Sequence, residues 1–402
     1  MHEVSEKNIK MDDFRRSQFT RTEVIDAIRI PAKYTNTIIK HERASQFVWM
    51  KPGNKSVYPC PSNPREYRIV LMKADLPVDL ECFSLVTRTK YTLSVSYEDF
   101  SAEEVLRVLI PGTVDPPTSF ETIGHIAHMN LREEFMPHKF LIGEVLLDKN
   151  RHIDLVVTKV GELSGDFRTF AMDVIATRSG GNSTFLATVF ENKMRLLVDY
   201  EHCYWNSRLS TERTRLLKEF TSVPNCRLID MCCGVGALAC FAAREGIEVH
   251  ANDLNPDAVR CLLKNASGLS SVVQISNSDA REFMKQLAPS GDPKTTNCVM
   301  INLPEIGIEF LDVFVGLGIM ENFKVFCHCF SRANPPDSDI RQRVYKALEI
   351  TDPLFDLPLK FVHIRDVAPN KIMYSVEFTV PESILRKQPI SKKPRHAEKP
   401  IS

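Results

Sequence analysis

Three things are missing from these 402 residues. No two of the eleven cysteines stand in CxxC spacing, and the closest approaches are Cys232-Cys233 and Cys327-His328-Cys329. Zinc and disulfide frameworks are therefore not expected, and no metal is invoked. Cysteines on apolar stretches read instead as small core residues in a reducing compartment. No window approaches the roughly 18 consecutive apolar residues that a bilayer-spanning helix needs, so no membrane partner is expected. Net charge is absent as well, because 51 Lys and Arg balance 51 Asp and Glu. A polyanionic partner would have to be met by a local patch rather than by the field of the whole molecule. The first 30 residues mix Glu3, Glu6, Asp12, Asp13 and Glu23 among lysines and arginines. They lack both a secretory apolar core and an acid-poor transit composition. The reading is a cytoplasmic protein, with the nucleus and the mitochondrial matrix left open.

What is present is ordinary globular composition, 43% hydrophobic and 25% charged, which sets aside disordered and fibrous classes. At roughly 100 to 200 residues per domain, the length predicts two or three domains. Residues 1–110 alternate short β-rich runs (Tyr67 to Met72, Phe83 to Val86) with polar connections. They end in a helix over Ser101 to Leu109, where Ser101 followed by Glu103 and Glu104 is a start signal. Pro111 to Ser119, with three prolines and a glycine, reads as a linker. Residues 120–205 carry the runs Phe140 to Leu147, Ile153 to Val157 and Thr184 to Val189, which suggest a sheet with helical additions.

From Cys226 the pattern becomes a regular βα alternation. Strands are predicted over Cys226 to Met231, Glu248 to Leu254, Val272 to Ser276, Cys298 to Ile301, Phe323 to Cys327 and Lys360 to Val367. Helices fall between them at Ala237 to Glu245, Pro256 to Asn265, Arg281 to Leu287, Ile306 to Val315 and Asp339 to Leu348. This is a doubly wound α/β domain, spanning residues 206–381. The strands Phe361 to Asp366 and Lys371 to Val380 are separated by too few residues for a crossover helix and must pair antiparallel. A parallel sheet closed by an antiparallel last strand is the class I (Rossmann-like) methyltransferase arrangement. Residues 382–402, rich in Lys and Arg, read as a flexible basic tail.

Where the first of these strands meets its helix stands Asp230-Met-Cys-Cys-Gly234-Val-Gly236, whose glycines permit a tight turn and close approach of a ligand. Ala239 completes a GxGxxA and Asp253 lies 19 residues beyond Gly234, so a nicotinamide dinucleotide has to be weighed. Asp230 argues against it, since a carboxylate beside a pyrophosphate is unfavourable, whereas a cationic ligand such as S-adenosyl-L-methionine benefits. Asp279, after the third strand, adds an acceptor suited to an adenine amino group. The plainer alternative is that Asp230 and Asp279 only cap helices. Asn302-Leu303-Pro304 after the fourth strand offers a group that can donate and accept within a rigid turn. His125 and His128 read as packing histidines.

Seven motifs occur in one order. They are Gly124-His-Ile-Ala-His-Met-Asn-Leu-Arg132, Asp148-Lys-Asn150, Phe167-Arg168, Tyr204-Trp-Asn-Ser-Arg-Leu-Ser-Thr-Glu-Arg213, Asp230-x-x-x-Gly-Val-Gly236, Asn252-Asp-Leu-Asn-Pro256 and Asn302-Leu-Pro304. The chain from about 120 to 380 resembles the tRNA guanosine-37 N1-methyltransferases of archaea and eukaryotes, and residues 20–110 resemble that family's first domain more loosely. It departs from the family's usual runs at Met231 to Leu238 and at Ile175 to Arg178. The resemblance implies two N-terminal α+β RNA-binding domains before the methyltransferase domain, S-adenosyl-L-methionine as methyl donor, tRNA with guanosine at position 37 as partner, and a monomer.

Guanine N1 carries a proton near neutral pH, so methylating it requires a base, and the resemblance gives that role to Glu212. Arg168 matches the residue that stabilises charge on O6, and Asn302 the one that positions guanine beside the donor. Tyr204 and Arg208 would hold the flipped nucleotide. For the cofactor, Asp253 would accept from the ribose hydroxyls, Leu254 would lie against adenine, Asp279 and Ala280 would meet the far side of the ring, and Arg213 would add a donor-side contact. Gly234 and Gly236 would give the methionine part room beside Asp230. Taken singly, Thr-Glu is a helix-start feature, Phe-Arg a surface arginine, and Tyr204-Trp205 core. Two rivals remain: the related aminocarboxypropyl-transferring enzyme of wybutosine formation, and a tRNA-binding protein without activity.

Overall fold

The computed structural model describes residues 13–40, 45–49, 55–73, 86–110, 112, 115–164, 169–269, 272–287, 289–290, 292–319 and 321–387. Two compact units emerge. One is drawn from the chain up to Lys159 together with Met172–Ser183; the other comprises Val160–Ala171 and the chain from Thr184 onward.

In the first unit a short helix α1 (Asp13–Ser17) precedes β1 (Arg21–Pro31), then α2 (Thr35–Ile39), β2 (Val57–Pro59), β3 (Tyr67–Leu71) and β4 (Thr87–Val95). The four strands form one sheet in the order β2-β3-β1-β4, with β1 antiparallel to both β3 and β4. Of the predicted strand at Phe83 to Val86, residues 83–85 lie outside the described residues, and β4 begins just after it. Helix α3 (Ala102–Leu109) starts as its sequence predicts. The Ser101 hydroxyl accepts from Glu104 N–H, and the Glu104 carboxylate accepts from Ser101 N–H in return, so two orphan donors of the first turn are satisfied.

Beyond it lie β5 (Glu121–Ile123), β6 (Ile126–Met129), α4 (Lys139–Lys149), β7 (Leu155–Ser164) and β8 (Thr169–Thr177), whose strands form a sheet in that order. The run Phe140 to Leu147, predicted as strand, is the helix α4. Its side chains Leu141, Ile142, Val145, Leu146 and Leu147 are all buried. With Glu144 the one charged residue between Phe140 and Leu147, the run shows too little of a 3.6-residue period to tell it from a buried strand. Arg178, where the chain departs from the family's usual run, ties down the turn after α4 by donating to the carbonyls of Leu147, Asn150 and Ile153.

The expected linker, of which 111, 113 and 114 lie outside the described residues, does not separate two cores. Leu93, Val95, Val105 and Leu106 belong to the same buried cluster as Ile142, Val145, Leu146 and Ile175. Asp148 of α4 accepts from Arg16 at 2.8 Å and from the Tyr97 hydroxyl at 3.1 Å. The boundary predicted at 205/206 falls earlier by packing, between Ser183 and Thr184. The reason is the hairpin β9 (Leu186–Glu191) and β10 (Met194–Asp199). The Asn265 side chain holds the β10 backbone by donating to Leu197 O at 3.0 Å and accepting from Leu197 N–H at 2.7 Å, and Arg244 donates to Asn192 O.

The second unit continues with α5 (Ser210–Ser222), β11 (Cys226–Asp230), α6 (Ala237–Arg244), β12 (Glu248–Asn252), α7 (Pro256–Asn265), β13 (Val273–Ser276), α8 (Ala280–Lys285), β14 (Thr296–Ile301), β15 (Asn322–Ser331), α9 (Pro336–Ala347), β16 (Lys360–Ala368), β17 (Lys371–Thr379) and α10 (Glu382–Leu385). Seven strands make one sheet in the order β13-β12-β11-β14-β15-β17-β16. The first five are parallel, and β17 runs antiparallel between β15 and β16. The predicted helix at Ile306 to Val315 is a 3-10 run, Gly307–Phe314. The tail expected to be flexible from 382 begins with α10, because Ile384 and Leu385 are apolar and find buried places in the core. Residues 388–402 lie outside the described residues. No helix among the described residues is long and apolar enough to cross a membrane.

The order reverses between β11 and β14, one strand leading outward in each direction. Open α/β sheets hold their ligands at the carboxyl ends of the strands flanking such a point. Asp230 ends β11, Asp253 follows β12, Asp279 follows β13, and Asn302 follows β14.

Candidate active site

The turn after β11 is built by two glycines in the left-handed region, Gly234 at φ +58° and Gly236 at φ +83°. A Cβ on Gly234 would meet open space, whereas one on Gly236 would run into the Leu262 side chain of α7. Gly236 is therefore required for packing and conformation, and Gly234 for its φ alone. Asp253 braces the turn, accepting from Gly234 N–H at 2.7 Å on one oxygen and from Asn255 N–H at 2.9 Å on the other.

Beside it Asp230 is buried, and its Oδ1 has no hydrogen-bond partner. Burial, reinforced by the nearby Asp253 charge, pushes the Asp230 carboxyl up to about 7, and burial raises Asp253 as well. An orphaned buried oxygen next to a second acid costs free energy until a cation or donor arrives. That pair of acceptors suits an amino-acid-bearing sulfonium and not a pyrophosphate. Leu254, half exposed, projects from the same edge. Asp279 does cap α8, as its plainer reading held, with Oδ1 accepting from the N–H groups of Arg281 and Glu282. Asp230 caps nothing. Ala280 is buried in the first turn of α8.

A second cluster joins α5 to the turn after β14 and to the interior of β15. Glu212 is 6% exposed. Arg215 reaches back one turn to hold it with two bonds, Nε to Oε2 and Nη2 to Oε1, both at 2.7 Å. Burial raises the Glu212 carboxyl, but the hydrogen bonds and charges of Arg215 and His328 outweigh it, leaving the group below the usual glutamate value. His328, on β15, is 2% exposed. Its Nε2 stands 3.1 Å from Glu212 Oε1 and its Nδ1 2.8 Å from Asn302 Oδ1. Two residues singled out in sequence are thus joined by one that was not. The turn carrying Asn302 is fastened to β15 where Phe330 N–H donates to Pro304 O at 2.9 Å.

Arg213 lies on the other side of α5, paired with Glu191 of β9 at 2.5 and 2.7 Å and stacked over Trp205. Tyr204 is about half exposed and its hydroxyl accepts from Asn206; Arg208 is exposed next to it. Arg168 lies outside the described residues.

Sheet order, acid–glycine turn and the unpartnered Oδ1 of Asp230 together define a Rossmann-like, S-adenosylmethionine-dependent methyltransferase. Comparison with known proteins agrees. The model of the TRM5/TYW2 methyltransferase domain matches residues 187–348, and that of the TYW2 N-terminal domain matches residues 103–183. The tRNA (guanine(37)-N(1))-methyltransferase of Phytophthora infestans is 33% identical over 393 residues, 92% of either chain. Among solved structures, Trm5b from Pyrococcus abyssi superposes with a TM-score of 0.63 at 21% identity, covering 88% of this chain and 98% of that one. The aTrm5 solved in complex with tRNALeu gives 0.65 at 18%, covering 88% and 99%. The chain belongs to the tRNA (guanine(37)-N(1))-methyltransferase family.

Proposed function

We propose that this chain transfers a methyl group from S-adenosyl-L-methionine to N1 of guanosine 37 in tRNA, with Glu212 as the base. The observation that carries the reading is the buried line Glu212–His328–Asn302, at the same carboxyl edge as Asp230. S-adenosyl-L-methionine, when bound, supplies an electrophilic methyl carbon on a sulfonium. Asp230, Asp253, Leu254, Asp279 and Ala280 would hold it, with Gly234 and Gly236 leaving it room and Asn302 beside it. Arg213 would act through the loop it anchors, since its guanidinium is already engaged by Glu191.

Glu212, held below the usual glutamate range, is ionised at neutral pH and ready to accept the N1 proton. So weak a base needs help, because guanine N1 is a much weaker acid. Spreading the developing charge onto O6 against the Arg168 guanidinium supplies it, and Asn302 fixes the guanine edge. Tyr204 offers an exposed ring for stacking and Arg208 a cation for phosphate. The aTrm5 solved with tRNALeu supports a tRNA partner. The fuller reading is a monomer of the cytoplasm, nucleus or mitochondrial matrix, in which residues 1–110 and 120–205 serve tRNA binding.

The test is incubation with labelled S-adenosyl-L-methionine and tRNA having or lacking guanosine at position 37, followed by identification of the modified nucleoside. N1-methylguanosine formed only on the first substrate is the expected product. Label at another position, an aminocarboxypropyl group, or tRNA binding without product would overturn the proposal.

A further inference from the structure

His328 sits in the middle of the apolar strand β15, between Cys327 and Cys329, both fully buried. A buried imidazole needs partners for two ring nitrogens, and here both are found on residues far away in sequence, 116 positions back on α5 and 26 positions back after β14. Other charged groups facing this place are Arg215, which bonds Glu212, and Glu377 of β17, which the same guanidinium reaches at 2.7 Å. Ser375 is the cross-strand neighbour.

A neutral imidazole has one N–H and one lone pair, yet as placed its neighbours are two oxygens. A protonated imidazole donates to both oxygens, and a neutral one bridges them when the Asn302 amide turns its N–H toward Nδ1. In either form Nε2–H donates to Glu212 Oε1; in the neutral form Nδ1 accepts from the Asn302 amide N–H, and the Asn302 carbonyl is left to accept from a substrate N–H.

We propose that His328 is a positioning residue of this site, its imidazole tying the Glu212 carboxylate and the Asn302 amide into one hydrogen-bonded line so that proton acceptor and guanine-reading amide keep a fixed spacing. The proposal rests on the reading of Glu212 as the base. Any drift of one relative to the other would misplace N1 against the acceptor, and small misplacements are costly in rate.

The experiment is single-turnover methylation of tRNA bearing guanosine 37, at saturating cofactor and across pH, for wild type, His328→Phe, His328→Gln, Glu212→Gln and the double variant His328→Phe/Glu212→Gln. Phenylalanine keeps the shape and loses both bonds; glutamine keeps a donor toward Glu212. His328→Phe should react about tenfold or more slowly with cofactor affinity unchanged, and the acid limb of its profile should move to higher pH because the carboxylate has lost a donor. His328→Gln should regain most of both. The double variant should be no slower than Glu212→Gln, as residues acting as one unit are not additive. A wild-type rate and limb in His328→Phe, equal losses in both histidine variants without a limb shift, or losses that multiply in the double variant would overturn the proposal. If His328→Phe fails to bind cofactor, the limb of His328→Gln relative to wild type decides: unmoved or slightly raised supports the proposal, and a shift to lower pH overturns it. A Glu212→Gln protein as fast as wild type would instead refute the base assignment, which separates the two failures.

Discussion

Glu212 and Glu377 share one guanidinium: Arg215 Nη2 lies 2.7 Å from Oε1 of each. The Arg215 guanidinium, together with His328, holds the Glu212 carboxyl below its ordinary value despite its burial, while Glu377 is also paired with Lys360. A depressed carboxyl contributes stability above its unfolded pKa, and that contribution disappears as pH falls through the lower folded value. Arg215→Gln should therefore melt at lower temperature than wild type at pH 7, with the gap narrowing below about pH 4.5. The same change should move the acid limb of methylation upward in pH. Melting curves at several pH values, read with the rate profile, check both.

Asp230 makes the opposite demand. Its carboxyl is raised from 3.8 to about 7, so ionising it costs the folded protein stability that grows from the unfolded value up to about pH 7. Without cofactor, Asp230→Asn should gain in melting temperature relative to wild type as pH rises over that range. A cationic ligand reverses the preference: S-adenosyl-L-methionine should bind wild type more tightly as pH rises through 7, releasing a proton below it. Titration calorimetry in buffers of different ionisation enthalpy would read that proton, and in Asp230→Asn it should vanish.

Glu212→Gln keeps size and hydrogen bonding but cannot take a proton. Single-turnover methylation should fall by about 100-fold or more, in line with the worth of a general base. Cofactor affinity, measured by equilibrium dialysis, should hardly change.

Arg168→Lys separates chemistry from binding. Lysine keeps the charge and loses the planar fork, so the single-turnover rate should fall much further than tRNA affinity if the guanidinium serves the charge on O6. Parallel binding and rate measurements distinguish the two.

Much of the catalytic unit is legible from one dimension, and the reason is local. Each βα step repeats an apolar run, a turn and a helix start, so Cys226–Asp230, Glu248–Asn252 and the hairpin of β16 and β17 can be placed by pattern alone. His328 could not be, because its meaning depends on partners 116 and 26 residues away. In the string Phe326-Cys-His-Cys-Phe330 it reads as core. The one available signal was that a histidine inside a strand buried on both faces must be satisfied by someone. The pairing of Arg213 with Glu191 was illegible for a similar reason, since that partner stands 22 residues back on the hairpin of β9 and β10. Helix α4 was lost because its run Phe140 to Leu147 holds a single charged residue, Glu144, too few to mark a helical period.

The cluster shared by Leu106 and Val145 makes a further claim about residues 1–114. Removing them strips partners from Asp148 and uncovers α4, so a protein beginning near 115 should lose melting temperature as well as tRNA affinity. Should it keep full stability and lose only its preference for whole tRNA over an anticodon stem-loop, those residues form an independently docking module instead.

The place of β17 bears on how the molecule comes to exist. Synthesis runs from the N-terminus, and the five parallel strands can assemble in the order they emerge. Strand β15, however, pairs on its far side with Lys371–Thr379, among the last described residues to be made. Until then the ribosome carries a sheet with an open, apolar edge at His328, an invitation to association. The same late strand brings Glu377 to Arg215, so the nascent chain has no finished charge network around Glu212. The charge network around Glu212 is thereby completed only after β17 has been made, and chains that stop short of residue 371 should appear in the cell as aggregates.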